Sequence, residues 1–446
     1  MTRARGVRIA LALLVILGGG ARAGEAIAPR VADESVDEHF YAVLAGGIAE
    51  RRHYGDRSHG PFRPFHAAPG APIAFAAAYA VTPAPPAEPT DIPAAYWLLA
   101  AAGTALIAVS FGLASALAGE AAGLAAAAVV AAYPPLIRTT GELLGEPLGA
   151  LALTGALWAL VEARRSGHRS VLALGGGLLG AAALVRPDML AAVLVCPLLL
   201  LFSPAGPRGA AIALAASGLV VGPWVAFASL RSGEVVPIVT SHAPTLMIGT
   251  HLPGDGTTQG FKRAHAAATR RRVPRLRGLG DLELPGGEVI QTVRLRHPGL
   301  PYGAALRAEA RSNLRRYALG EPVAFTAMLA RKAARMWRRP NQIRGRPMLA
   351  VHLLLVVVAV AGLLAGVLRT RDGGLLLVAA AVLSCTALHA VLVAHPRYAL
   401  PLVPLLVAGG AAGIALARRG DQARQPSGSG WVSRSRSDSG TIWQNA

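Results

Sequence analysis

Long apolar stretches, separated by polar segments, run along most of this chain. They cover residues 7–23, 71–83, 94–118, 120–137, 143–162, 170–184, 187–203, 208–230, 347–368, 374–394 and 398–417. Most are near the length of about 20 apolar residues that spans the hydrocarbon core of a bilayer, although the one at 71–83 is short. The pattern therefore predicts an all-α polytopic membrane protein, a bundle of about 10–11 membrane helices with loop regions on its outer face.

Two polar regions, 24–70 and 231–346, interrupt this pattern and divide the chain. The end of the chain is rich in Ser, Gly and Arg, a composition that predicts disorder. We therefore expect an N-terminal membrane helix or signal peptide at 1–23, a first outer loop at 24–70, a membrane helix bundle at 71–230, a basic outer loop region at 231–346, C-terminal membrane helices at 347–417 and a disordered basic tail at 418–446.

The N-terminus carries two competing signals. A basic start up to Arg8, an apolar run and the small-residue pattern Ala21-Arg22-Ala23 are typical of a secretory signal peptide. The same residues suit an uncleaved membrane helix, at about 7–23, whose basic start stays in the cytoplasm. The residues alone leave both alternatives open.

Arginines in short loops set the orientation of membrane helices. They cluster after residues 162, 368 and 417, which places these loops in the cytoplasm and the two large polar regions outside. Long loops cross a membrane largely regardless of their charge, so the basic region 231–346 does not oppose this orientation. Eleven alternating segments cannot leave both termini inside. Either the segment at 71–83 is re-entrant, or the boundaries between 94 and 137 differ.

Composition supports the membrane class and argues against nucleic-acid binding and against a disulfide framework or a zinc site. Of 446 residues, 53% are hydrophobic and 15% are charged, and the mean hydropathy is +0.45, whereas soluble domains carry roughly 25% charged residues. The net charge of +20 comes from loops between membrane stretches, so it does not indicate nucleic-acid binding. Cys196 and Cys385 lie inside apolar stretches, which indicates inert buried thiols rather than a disulfide framework or a zinc site.

An acidic pair, Asp37-Glu38, follows the first apolar stretch. Carboxylates at the mouth of a membrane helix are costly to place, and partial desolvation moves a carboxyl pKa towards the range useful for taking a proton. The alternative is a solvated loop acid, or a charge favoured at the N-terminus of a helix. The neighbouring pair Asp33-Glu34 is a competitor for the same role.

A second acidic position lies further along the chain. Glu142 and Glu146 are four residues apart, so they share one face if the segment is helical. Pro147 predicts a helix start there, with the acids near its positive end. Simple helix capping is the alternative to a role in chemistry.

Candidate basic groups stand at three places. Arg186 breaks an apolar run, where it would either bind a lipid phosphate or pair structurally with Asp188. Lys332 lies on an amphipathic stretch that enters the next membrane helix, and Arg397 and Tyr398 open the last apolar stretch. Arg and Tyr there are alternatively simple interfacial anchors. Most other basic residues of 231–346 suit a surface near anionic lipid head groups.

These short motifs occur in a particular order. After a basic start and one helix come Asp37-Glu38-x-x-Tyr41, His66 to Pro72, Tyr133-Pro134, Thr140-Gly141, Glu146-Pro147, Gly180 to Pro187, Pro223-Trp224, Met247-Ile248-Gly249, Lys332 to Trp337 and Arg397 to Pro401. Over about residues 7–417 this order resembles the GT-C glycosyltransferases of the protein O-mannosyltransferase type (glycosyltransferase family 39). That family includes bacterial relatives such as the aminoarabinose transferase of lipid A.

The resemblance implies transfer of a sugar, with inversion, from a polyprenyl-phosphate donor to an acceptor protein, lipid or glycan at the outer face of the cell membrane. It implies an uncleaved first helix, and we expect no cofactor and no required metal. By position, Asp37 matches the general base, Glu38 its neighbour, and Glu146, with Glu142, the second acidic position. The residues suited to binding the donor phosphate are the positive groups Arg186, Lys332 and Arg397, together with Tyr398, the neighbour of Arg397.

Two other classes remain as alternatives. A transporter or flippase of a lipid-linked sugar would place charges near the middle of broken helices and would show an internal repeat, whereas here the acids cluster at one face. A non-catalytic membrane scaffold, whose basic outer region binds an anionic polymer, would make Asp37 and Glu146 dispensable. The sequence favours the enzyme.

Overall fold

The computed structural model describes residues 2–28, 36–51, 54, 64–81, 90–340 and 342–424. The pair Asp33-Glu34, much of the polar region 24–70 and the tail from 425 onwards lie outside the described residues. Within them the chain is helical throughout, which confirms the predicted all-α class.

The first half of the described chain forms ten α-helices. They are α1 (Thr2–Ile27), α2 (Val36–Arg51), α3 (Gly70–Ala80), α4 (Pro93–Ala118), α5 (Glu120–Ala132), α6 (Pro134–Arg138), α7 (Glu146–Ser166), α8 (Arg169–Val185), α9 (Leu190–Leu199) and α10 (Gly206–Ser232). Short 3₁₀ turns follow α6, precede α9 and extend α9, at Thr139–Gly141, Pro187–Met189 and Leu200–Phe202.

The second half forms eight more. They are α11 (His242–Gly249), α12 (Thr258–Arg272), α13 (Gly286–Arg294), α14 (Tyr302–Asn313), α15 (Pro322–Arg338), α16 (Arg346–Thr370), α17 (Gly373–Val391) and α18 (Val403–Arg424). A π-helical segment, Leu314–Leu319, joins α14 to α15, and a 3₁₀ segment, Pro396–Leu402, leads into α18. The last helix therefore continues beyond residue 417, where we had placed the start of the tail.

Six helices among the described residues are long and apolar enough to cross a membrane: α1, α4, α10, α16, α17 and the stretch Pro396–Arg419. A seventh crossing results if α5 and the bent segment Pro134–Gly141 form one span. Shorter apolar helices are Gly70–Ala80, Arg169–Val185 and Pro187–Phe202. The chain is a multi-pass membrane protein, although fewer of its helices are full-length spans than the predicted 10–11.

The bundle has two distinct ends. At one end, called here the basic end, Arg164 pairs with Asp372 at 3.3 Å, and Arg165 and Arg419 donate to the carbonyl oxygens of Leu117 and Ala118. At the opposite end, called the site end, lie the start of α7, the end of α8 and the end of α17. Ten helices of the described chain run in turn from one end to the other, so both described termini lie at the basic end. These helices are α1, α4, α5, α7, α8, α9, α10, α16, α17 and α18.

Helix α3 does not join these passes. It packs on α2 and on the first turns of α4, where Phe75 and Ala71 share an apolar cluster with Leu99, and Gly70 lies against Val185 at the end of α8. The described part of the segment predicted at 71–83, up to Val81, therefore stays at the site end. This explains why eleven alternating segments could not close.

The regions predicted as outer loops contain folded helices. Helices α11 to α14 enclose their own apolar cluster, which includes Met247, Phe261 and Val289. Many of their arginines pair with acids of the same region, as Arg270 does with Asp281 at 2.6 Å. The described part of 231–346, predicted only as a basic outer loop region, therefore contains helices of its own, which ion pairs within the region and a small core stabilise.

Arg22 fixes α1 to the bundle. Its side chain is fully buried and donates to the carbonyl oxygens of Gly18, Val130 and Ala131 at 2.8, 2.8 and 3.3 Å. The two distant acceptors are the last carbonyls of α5, which have no partner within their own helix. Within Ala21-Arg22-Ala23, which resembles a cleavage site, Arg22 is thus a buried packing residue, whereas Ala21 is exposed.

Candidate active site

The sequence breaks helices where the charged candidates lie. Asp37 and Glu38 occupy the first turn of α2, and Glu146 opens α7 with Pro147 behind it, positions that the helix dipole favours for acids. Arg186 has an extended backbone between α8 and the next 3₁₀ turn, because the following proline disfavours helical geometry. All these breaks lie at the site end.

These groups form one continuous chain of opposite charges. Asp37 pairs with Arg397, and the Arg397 Nε lies 3.6 Å from Glu146 Oε1. Arg186 Nη1 lies 2.8 Å from the same Glu146 oxygen, and Arg186 Nε lies 3.3 Å from Asp188 Oδ1. We call Asp37, Arg397, Glu146, Arg186 and Asp188 the charge chain. Asp37, Glu146 and Arg397, which come from distant parts of the sequence, thus lie together.

The charge chain runs from the surface into the protein. Along the charge chain the exposed fraction of the side chain is 42% at Asp37, 18% at Arg397, 4% at Glu146, 10% at Arg186 and 9% at Asp188, so only Asp37 is well exposed. Buried charges are costly unless they are paired, so each member depends on its neighbours. Arg186 contacts both Glu146 and Asp188, so the structural pairing considered for Arg186-Pro187-Asp188 is present within a larger cluster.

Several buried atoms of the charge chain lack an aligned hydrogen bond within the described protein. They are Arg186 Nε, Arg397 Nε, Glu146 Oε1 and Asp188 Oδ2. Each is close to an opposite charge, so the contacts are ion pairs with poor hydrogen-bond alignment. Buried polar atoms are normally satisfied, and exceptions concentrate where a protein does chemistry or binds a ligand.

His389 and Tyr398 close the inner end of the charge chain. His389 Nε2 lies 3.1 Å from Asp188 Oδ2, and its ring stacks on Tyr398 at 4.6 Å between centroids. The guanidinium carbons of Arg186 and Arg397 lie 5.2 and 5.6 Å from the centre of the Tyr398 ring. Sequence reasoning missed His389, although an ionisable residue within the apolar stretch 374–394 was a signal.

Glu38 and Glu142 flank the charge chain. Glu38 Oε1 accepts from the main-chain N–H of Leu143 at 3.1 Å, and Glu142 accepts from Gln342 Nε2 at 3.0 Å. Burial raises the pKa of Glu142 to about 7; Glu146 and Glu38 add to this, while the Gln342 hydrogen bond and Arg397 oppose it. Glu142 is therefore poised to hold or release a proton near neutral pH.

Aromatic groups line the mouth of the site beside Asp37. The rings of Phe40 and His66 meet edge to face at 5.8 Å. Burial lowers the pKa of His66 to about 4, against the opposing influence of Asp37, and burial raises the pKa of Tyr41 well above its usual range. His66 and Tyr41 are therefore uncharged at neutral pH and form a neutral wall.

Lys332 is not brought into the charge chain. Its fully buried ammonium donates to the carbonyl oxygens of Gly249 and Leu392 at 2.8 and 2.5 Å, and burial lowers its pKa to about 8. These acceptors lie at the ends of α11 and α17, so Lys332 joins the outer helices to the bundle. Its hydrogen bonds go to the main chain, and its assignment as a donor-phosphate group stays a prediction.

The described residues contain no group of three or more His, Cys, Asp or Glu side chains arranged to hold a metal ion. Both cysteines are free and buried, as predicted.

Comparison with solved structures identifies the architecture. The apo oligosaccharyltransferase of Archaeoglobus fulgidus matches with a TM-score of 0.56 and 14% identity, over 94% of this chain and 51% of the other. The oligosaccharyltransferase AglB of the same organism, in complex with an inhibitory peptide and a dolichol-phosphate, matches with a TM-score of 0.53 and 13% identity. This match covers 92% of this chain and 50% of the other. The chain has a GT-C fold. It spans about half the length of these solved chains.

A looser likeness, with a TM-score of 0.41, is to apo ArnT from Cupriavidus metallidurans, with 14% identity over 94% of this chain and 78% of the other. No family model and no curated protein matches the sequence. The GT-C fold is thus recognised here through its three-dimensional arrangement. In this GT-C chain the charge chain lies at the site end, where α2, α7, the α8–α9 break and the start of the last span meet.

Proposed function

We propose that this GT-C protein is a membrane glycosyltransferase that moves a sugar from a polyprenyl-phosphate donor to an acceptor hydroxyl, with inversion at the anomeric carbon. The observation that carries the proposal is the charge chain, in which carboxylates and arginines alternate from an exposed Asp37 to a buried Asp188. The dolichol-phosphate in the complex of the archaeal neighbour supports a lipid-phosphate donor.

Asp37 acts as the general base in this proposal. With a side chain 42% exposed, it is the most accessible acid of the charge chain. The acceptor hydroxyl gives its proton to Asp37 while its oxygen forms a bond to the anomeric carbon. On the opposite face the bond from that carbon to the phosphate oxygen breaks, and its electron pair leaves with the lipid phosphate. A positioned base typically contributes about 10² to 10⁴ in rate.

The arginines provide positive charge for the leaving phosphate. Arg397 contacts Asp37 and Glu146, so it lies between the proton acceptor and the buried acid. When its guanidinium turns to a phosphate oxygen, it releases Asp37 to accept a proton. Arg186 lies one step deeper and keeps Glu146 neutralised meanwhile. A planar guanidinium suits both carboxylate and phosphate, so this exchange requires little rearrangement.

The two ends of the bundle support an outer-face site. Arg164, Arg165 and Arg419 gather at the basic end, which the positive-inside rule assigns to the cytoplasm. The charge chain lies at the other end. A polyprenyl tail would then enter laterally between helices, while its phosphate and sugar reach the site end.

The test is transfer of labelled sugar from polyprenyl-phosphate donors by membranes that contain the protein. We expect Asp37→Asn to lower transfer by about 10² or more, because the amide cannot take the proton. Glu50→Gln is the matched control, since Glu50 lies on the same helix but contacts Tyr79. Its transfer should equal that of the wild type.

Other outcomes would point elsewhere. Equal transfer by wild type and Asp37→Asn would move the base to another carboxylate, such as Glu38 or the Asp33-Glu34 pair. No transfer by either, with expression unchanged and every donor tried, would contradict the enzyme. The flippase or transporter and the non-catalytic scaffold would then become the leading interpretations.

A further inference from the structure

We propose that Asp188 and His389 form a positioning pair that holds Arg186 in the orientation needed to meet a lipid phosphate. This inference rests on the proposed function for its ligand class, and it assigns a role to two buried groups that have no direct part in the transfer. The pair lies at the inner end of the charge chain, away from the exposed Asp37.

Asp188 divides its two oxygens between two partners. Oδ1 lies 3.3 Å from Arg186 Nε, and Oδ2 lies 3.1 Å from His389 Nε2. A carboxylate only accepts hydrogen bonds, so we assign the proton of the facing imidazole nitrogen to Nε2. The contact of Oδ2 with Nε2 is close but not aligned as a hydrogen bond, and it occupies one side of the carboxylate while Oδ1 faces Arg186.

Tyr398 completes the support from the side. Its ring stacks on the imidazole at 4.6 Å with an angle of 23° between planes, and the Arg186 guanidinium lies 5.2 Å from the ring centre. Side chains that orient a ligand-binding group from behind typically contribute about 10- to 100-fold to affinity or activity. The carboxylate and the ring contact Arg186 directly, and the imidazole contacts both of them.

A second buried histidine on a membrane helix, His352, has contacts of a different kind. His352 on α16 contacts Tyr133 at 2.6 Å and the carbonyl oxygen of Trp337 at 2.7 Å. It is fully buried, as His389 nearly is, but its two polar neighbours are a tyrosine and a main-chain carbonyl outside the charge chain. Replacing His352 therefore reproduces the loss of a buried imidazole without disturbing Arg186.

The experiment measures binding of undecaprenyl phosphate, with undecaprenol as the uncharged reference, to the purified full-length protein in detergent. We expect His389→Leu to weaken undecaprenyl phosphate binding about tenfold and His389→Gln to stay within about twofold of wild type, because the Gln amide nitrogen can take the place of Nε2. His389→Asn, whose shorter amide matches Nδ1, should behave like the leucine variant. His352→Leu should lower the thermal stability without changing this affinity.

A double-variant series separates positioning from general packing. In an Arg186→Lys background, His389→Leu should cause no further loss of undecaprenyl phosphate affinity, because the group it orients is already changed. An equal further loss would overturn the proposal, as would unchanged binding by His389→Leu or failure of His389→Gln to restore it.

The same series distinguishes this inference from the proposed function. If the wild type binds undecaprenyl phosphate no better than undecaprenol, the lipid-phosphate function fails. The pair is then judged on thermal unfolding alone, for which no ligand is needed. Losses in Tm that are non-additive between positions 186 and 389 would support the pair, and additive losses would overturn it.

Discussion

Arg397 and Asp37 form an ion pair although 360 residues separate them along the chain. The pair joins α2, which follows the first membrane helix, to the 3₁₀ segment that opens the last. Arg397 also approaches Glu146 at 3.6 Å, so a single side chain connects three distant parts of the sequence. The connection of Asp37 to the rest of the charge chain depends on this junction.

Replacement of Arg397 tests the junction directly. We expect Arg397→Ala to lower sugar transfer by about 10² to 10³, because charge on the leaving phosphate loses a preorganised partner. Arg397→Lys keeps the charge but loses the planar fork, so it should fall between alanine and wild type. Initial rates with a polyprenyl-phosphate donor provide the measurement. Arg346→Ala, which removes an exposed arginine at the start of α16, should leave the rate unchanged; a loss there would mean that net charge alone matters.

Glu142 makes stability depend on pH. Because its pKa is raised from 4.5 to about 7 in the folded protein, the folded state holds this proton more tightly than the unfolded state does. The stabilisation is present below the unfolded pKa and is lost as the pH rises towards and past 7. Glu142→Gln should therefore gain stability relative to wild type between pH 5 and pH 8, by roughly 1–3 kcal/mol.

Thermal unfolding in detergent at both pH values checks this expectation. Glu162→Gln, at an exposed position of α7, is the control and should show the same offset from wild type at pH 5 and pH 8. A constant offset for Glu142→Gln as well would show that Glu142 does not titrate in this range.

Lys332 should behave as a structural group. In Lys332→Met the carbonyl oxygens of Gly249 and Leu392 lose their donor, and an unsatisfied buried acceptor costs about 1–3 kcal/mol. We expect a lower Tm, with undecaprenyl phosphate affinity within about threefold of wild type. Arg331→Met, at an exposed neighbouring position, should change neither. A large and selective loss of affinity in Lys332→Met would support its assignment to the donor phosphate.

Arg22 should determine whether the first helix remains in the bundle. Its guanidinium occupies the last carbonyls of α5, so Arg22→Leu leaves Val130 and Ala131 without that donor and should destabilise the protein by about 1–3 kcal/mol. Intact mass of the purified wild type should also show that residues 1–23 are retained. A mass that corresponds to cleavage after Ala23 would support the signal-peptide alternative instead.

The sequence predicted what local patterns can encode. Apolar length placed the helices well, and Pro147 and Pro187 marked the breaks at which Glu146 and Arg186 are held. Hydropathy could not show that α3 stays at the site end, because that depends on its packing against α2 and α4. Polar composition likewise did not predict the helices between 231 and 346. These helices are ordered by ion pairs between residues of that region that are not neighbours in the sequence.

The sequence indicated most of the charged residues of the candidate site, but not which of them contact one another. Asp37, Glu146, Arg186 and Arg397 are charges at membrane edges, a local signal. Which arginine meets which acid depends on the three-dimensional arrangement of the helices. Nothing in the sequence marked Gln342, which is one amide among many polar residues of its region. Its importance follows only from its hydrogen bond to Glu142. The main-chain acceptors of Lys332 were also beyond prediction, because sequence does not show where its donors point.

The separation of Asp37 and Arg397 also orders events during synthesis. A ribosome makes Asp37 early and Arg397 close to the end of the membrane region, so Glu146 and Arg186 can meet long before Asp37 has its partner. A chain that stops before the last span contains every acid of the site and still lacks the cation that joins them. Completion of the polypeptide is thus itself the step that assembles the site.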